Sequence, residues 1–126
     1  MTVFEHLRRG VLERSGLSDA PKRFMPPLPE LRKIQWSESF ESMMRSRLLM
    51  GAFRYGLMSS PSNSAFDVIG DMPRRIERFQ ATGNGELLAD IANLALLAFH
   101  HKKHPRFHVR GEDDGQHVEL EKGVRP

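Results

Sequence analysis

Cysteine is absent. That excludes a disulfide framework, a thiolate metal site and a thiol nucleophile. It fits the cytoplasm without requiring it. Long apolar runs are also missing. None approaches the ~20 residues that cross a bilayer, and no secretory-type segment opens the chain. The reading is therefore a soluble, cytoplasmic protein with no membrane partner. Aromatics of the stacking kind are scarce, with one Trp and one Tyr. They cannot make the platform on which single-stranded nucleic acid stacks, so nucleic acid is not indicated. There is no glycine-rich phosphate loop, Walker motif or nucleophile elbow. Charge of one sign is not in large excess. The net +3 permits an anionic ligand without arguing for one.

The 126 residues suffice for one domain with one core. The apolar segment Glu86–Phe99, ELLADIANLALLAF, is its centre. Asn84 can cap a helix there and Glu86 sits in its first turn. His100, His101, Lys102 and Lys103 load its last turn, and Pro105 stops it. A helix apolar nearly all round has to be covered nearly all round. Asp90 and Asn93 interrupt it three residues apart and so share a face. A buried carboxylate must be hydrogen-bonded, paired or metal-bound.

Thr2 and Glu5 have capping-box spacing, and Phe4, Leu7, Val11 and Leu12 form a stripe. Residues 3–15 therefore read as a short amphipathic helix. Residues 17–35, with Pro21, Pro26, Pro27 and Pro29, read as an extended connector. Its Phe24, Met25, Leu28, Leu31 and Ile34 are expected to wrap over the core. A second helix is predicted from Ser37 to Leu57, with Gly56 as its stop. Gly51 in its middle costs about 1 kcal/mol against Ala and suggests close helix packing. Residues 59–64 read as a polar loop. Asp71 can cap the next helix, with Pro73 in its first turn. Thr82-Gly83-Asn84 connects it tightly to the central helix, so the two should lie antiparallel. The core helices thus span about 37–100, with a wrap over 1–36 and an extension over 105–126. Phe107, Val109, Val118 and Leu120 alternate around Gly111–Gly115. They fit a β-hairpin and a loose charged tail equally.

Three constellations carry chemistry. Glu86 and Asp90 are four apart, as are Asp67 and Asp71. If their segments pack antiparallel, four carboxylates could face one another and hold a hard cation such as Mg²⁺. The bland alternative is a dipole partner, a cap and a solvated acid. Arg45, Arg47, Arg54, Arg74, Arg75 and Arg78 flank the central helix. Their forks suit phosphate, although most surface arginines are only solvated. Arg47, set among apolar neighbours, is the one placed to pair with Asp90. His100 and His104 have i,i+4 metal-ligand spacing. A helix end and a polar turn explain that histidine cluster more simply.

The run Ala89-Asp90-Ile91-Ala92-Asn93-Leu94-Ala95-Leu96-Leu97 resembles the last core helix of MazG-like nucleotide pyrophosphohydrolases. It is most similar to the phage and prophage branch, where an Ala-Asp-Val-Ala-Asn-Phe type segment is common. Met44–Gly56 is similar to the family's first core helix, and Ile69–Asn84 falls where its second belongs. The resemblance covers roughly residues 40–100. It implies an all-α bundle of about four helices that assembles as a dimer or larger homo-oligomer. It also implies Mg²⁺ on two motifs, EExxE and ExxD. By position the first falls on Asp71, Met72 and Arg75, and the second on Leu87 and Asp90. Asp71 and Asp90 carry over as metal ligands. Met72, Arg75 and Leu87 do not, and Glu86, one residue early, could substitute only by a different reach. An arginine at a ligand position opposes a cation, and could take its place and meet phosphate itself. The expectation is therefore nucleotide binding in a MazG-like pocket with an eroded metal site. Phosphate would meet Arg47, Arg54, Arg74 or Arg75, and Asp90 and Asn93 would organise the pocket. Two alternatives stand beside it. One is a working Mg²⁺-dependent nucleoside triphosphate pyrophosphohydrolase. The other is a phage-type interaction scaffold, marked by Asp90 bonded to an arginine with no open cavity.

Overall fold

The computed structural model describes residues 24–111 and Glu121. The helix expected over 3–15 lies outside them, as does most of the Val109–Leu120 hairpin. The described residues are all-α, with five helices and no strand. No helix among them is long and apolar enough to cross a membrane. They divide into two units, residues 24–35 with 108–111 and 121, and Trp36–Phe107.

In the first unit the expected connector is partly helical. Helix α1 runs Leu28–Ile34. Pro29 sits in its first turn, where a missing N–H costs nothing, and Leu31 N–H reaches the Pro27 carbonyl at 2.9 Å. The prolines thus start a helix here. Leu28 is buried, but Phe24 and Ile34 are exposed, so they are not the core cover the sequence suggested.

The second unit holds four helices: α2 (Glu38–Tyr55), α3 (Pro61–Ser64), α4 (Val68–Thr82) and α5 (Glu86–His101). Helix α2 has the bounds its signals predict. Ser37 Oγ accepts the Phe40 N–H, and Gly56 stops the helix at φ +87°, a conformation side chains resist. Part of the expected 59–64 loop is the single turn α3. Ser60 caps it through the Asn63 N–H and Pro61 begins it.

Helix α4 starts earlier than predicted. Asp67, not Asp71, is its cap, accepting the Gly70 N–H at 3.0 Å. A Cβ at position 70 would collide with that carboxylate, so the cap depends on glycine there. Asp71 consequently lies in the first turn, and Pro73 falls inside the helix. Gly83, at φ +71°, ends α4 in the left-handed region. Three residues later α5 begins, and the two lie antiparallel as so short a link requires.

Gly85, not Asn84, is the N-cap residue of α5. Asn84 still contributes, because its Oδ1 accepts the Glu86 N–H at 3.1 Å. The helix ends at Lys102, φ +53°, before Pro105 is reached. Helix α5 packs against both α2 and α4. Leu87 and Ala89 on α5 and Val68 on α4 are the buried apolar residues of this unit. The central helix is therefore not covered all round. Leu88, Leu96 and Phe99 remain exposed, and on α2 so do Leu49, Met50 and Phe53.

Candidate functional site

Asp90 stands on the second turn of α5 and is the hub of a charged cluster. Arg47 of α2 grips it with a two-pronged fork, Nε to Oδ1 at 2.7 Å and Nη2 to Oδ2 at 3.0 Å. Arg75 of α4 donates to the same Oδ2 from Nη1 at 2.9 Å. Through Nε, Arg75 also reaches Asp71 Oδ2 at 2.7 Å. One guanidinium therefore bridges Asp71 and Asp90. Arg74 donates to the other oxygen of Asp71. Glu86 completes the group at 3.5 Å from Arg47 Nη1.

These contacts follow from helical spacing. Asp71 and Arg75 are one turn apart on α4, and Glu86 and Asp90 one turn apart on α5. The antiparallel register of α4 and α5 then sets Arg75 opposite Asp90. Charge-assisted forks of this kind are the stronger hydrogen bonds in proteins. The Arg75 bond, then that of Arg74, holds the Asp71 carboxyl below its usual range. The bond to Asp90 raises the Arg47 guanidinium, and the bond to Asp71 raises that of Arg75. All three stay charged at any physiological pH.

The cluster lines a half-open cavity of about 440 Å³. The rest of the lining is largely apolar and aromatic, with Leu48, Leu94 and Leu97 alongside Tyr55 and Phe66. The two rings meet edge to face, centroids 4.9 Å apart. Arg47 and Tyr55 are eight residues apart on α2, about 12 Å along its axis. Asn93 also lines the cavity and is only 7% exposed. Its Nδ2 donates to the Met44 carbonyl at 2.8 Å, whereas its Oδ1 is buried and accepts nothing.

Of the residues singled out from the sequence, the cavity gathers Arg47, Arg74, Arg75, Asp71, Asp90 and Asn93. Asp67 also lines it but is engaged as the α4 cap. Glu86 stays at the edge, paired with Arg47, and Arg54 lies outside the cavity lining. The four carboxylates do not converge on an open centre. Both oxygens of Asp71 and of Asp90 already accept from guanidiniums, and no group of three or more acids or histidines among the described residues could hold an ion. The residues present therefore do not fit Mg²⁺. Arg75 already bridges the two acids that would have to share such an ion.

His100 and His104 do not act as a pair, because α5 ends between them. His104 Nδ1 accepts the Arg106 N–H, and His101 Nε2 meets the Met58 carbonyl at 3.3 Å. Tyr55, Phe66 and Asn63 are cavity residues that the sequence reading passed over. Asn63 is buried, with Nδ2 on the Gly56 carbonyl at 3.0 Å. The signal for it was Ser60 three residues ahead with Pro61 between, a helix start inside an apparent loop. No family model, curated protein or solved structure matches this chain, so what the site does must be read from its own geometry.

Proposed function

We propose that this chain binds a nucleoside phosphate in a pocket of the MazG-like kind, without a divalent metal. The observation that carries this is the Arg75 guanidinium bridging Asp71 and Asp90 in a cavity that Tyr55 and Phe66 also line. A guanidinium carries five N–H donors. Arg75 directs its Nε and one Nη at the two acids, and its second Nη makes no bond to an acceptor among the described residues. Arg74 is 78% exposed at the rim and can turn toward an anion. The three arginines face four acids, Asp67, Asp71, Glu86 and Asp90, so a phosphate is met by aimed hydrogen bonds and not by net charge. An open cavity favours this reading over a ligand-free scaffold.

Titration calorimetry in chelator, with a panel of nucleoside triphosphates, tests it. At least one should bind, and the affinity should fall as salt rises, because an exposed arginine–phosphate contact is screened. Arg74→Ala, at an exposed side chain, should leave folding intact and weaken binding by about tenfold, which is 1.4 kcal/mol. Arg75→Glu should abolish chelator-resistant binding by placing a third carboxylate beside Asp71 and Asp90. Binding that requires Mg²⁺ in the wild type would instead favour the pyrophosphohydrolase.

The exposed apolar faces support a homo-oligomer. Phe53 on α2 is 94% exposed and Phe99 on α5 56%, with Leu49, Leu57 and Leu88 also open. Apolar surface of this extent is normally covered. Sedimentation at micromolar concentration should give a dimer or larger species. A monomer throughout would mean that these faces are not joined by a second copy.

A further inference from the structure

Gly51 lies in the interior of α2, four residues before its end at Tyr55. A glycine there weakens a helix, and the usual compensation is a neighbouring helix too close for a side chain. That compensation is missing. A Cβ built at position 51 meets only Tyr55 Cδ2, at 3.9 Å, an ordinary contact. Gly51 instead lines the cavity, one turn from Arg47 and one from Tyr55 on α2, and also a second hollow of about 370 Å³ that shares Leu48, Tyr55 and Asn63 with it. The bare backbone thus borders open space, not a packed helix.

We infer that Gly51 is clearance for a planar heterocycle, which lies against the α2 backbone beside Tyr55 and Phe66. This rests on the nucleoside phosphate reading and identifies where its ring goes. A methyl at position 51 would project where the ring slides in. Helix α2 thus retains a glycine that its own fold does not need. Tyr55 and Phe66 supply an apolar wall with aromatic faces.

The test is Gly51→Ala, which the protein itself accommodates. The melting temperature should rise by several degrees, as expected when a helix-interior glycine becomes alanine. Nucleoside and nucleotide affinity should fall at least about tenfold. Binding of inorganic tripolyphosphate, which has no ring and needs only the arginines, should not change. Calorimetry of both proteins with a purine nucleoside, a pyrimidine nucleoside, the matching triphosphates and tripolyphosphate reads all of this. Nucleotide affinity unchanged in Gly51→Ala overturns the ring site and leaves the arginine end standing. Loss of tripolyphosphate binding along with nucleotide binding also overturns it, because the substitution would then act on the whole pocket. Nucleoside binding without any tripolyphosphate binding in the wild type supports the ring site and overturns the phosphate end. If the wild type binds none of the probes, both fail together.

Discussion

Leu87→Ala is expected to cost roughly 2–5 kcal/mol of folding stability, the range for removing a buried leucine from a packed site. Leu87 is 5% exposed and belongs to a short set of buried apolar residues, with Val68 and Ala89 in the same unit. A unit with so few buried side chains has few others to take up the loss. The cost has two parts, the apolar area returned to water and the void left where neighbours cannot collapse. Leu94 offers a control on the same helix. It is only half-buried and faces the existing cavity. Leu94→Ala therefore enlarges a space that is already open, and the smaller effect is expected there. Urea unfolding of both variants measures the difference. Equal midpoints for wild type and Leu87→Ala would show that the α5 N-terminal turns carry little of the stability.

Asp90→Ala is the other substitution with a large expected effect. It removes three hydrogen bonds at once and leaves Arg47 and Arg75 without the carboxylate they share. Breaking a buried ion pair from one side costs about 3–5 kcal/mol, mostly because a charge is left unmatched. Here the guanidiniums are partly open to water, with side chains 27% exposed. Solvent softens the loss, and roughly 2–4 kcal/mol is expected. Asp90→Asn should cost less, because the amide oxygen keeps one acceptor in place. Removing both partners, as in Arg47→Met with Asp90→Leu, should be milder than Asp90→Ala, since no charge is stranded between them. A double-mutant cycle on Arg47 and Asp90 isolates the pair from the Arg75 contribution. A coupling energy near zero would mean that the fork is incidental to the fold.

The sequence was legible where the chemistry is local. Ser37 and Gly56 bound α2 as read, because a cap hydroxyl and a left-handed stop act on the backbone within a turn. The all-α class follows from the same signals, and so does the antiparallel α4–α5 pair, which a three-residue link with Gly83 favours. Asp90 was legible as a charge needing a partner, and Arg47 as the arginine set to supply it. Where two residues compete for one local role, the reading failed. Asp67 and Asp71 both suit a cap, and the choice fell to Asp67 because Gly70 leaves room for its carboxylate. Proline likewise reads as a break in 17–35 until the first turn of α1 uses Pro29.

What only the tertiary structure decided are the relations between helices. Arg75 was visible as an arginine where a resemblance expects a carboxylate. That it bridges Asp71 and Asp90 depends on the rotation and register of α4 against α5. Gly51 suggested tight packing, and the side of α2 it occupies turned it toward a cavity instead. Apolar periodicity says which residues avoid water, and a single chain need not supply their cover, so Phe53 and Phe99 stand exposed despite fitting the pattern. Capping energies are set within one turn of backbone. Ion pairs, cavities and burial are set by where a distant segment comes to lie, and no spacing along the chain encodes that position.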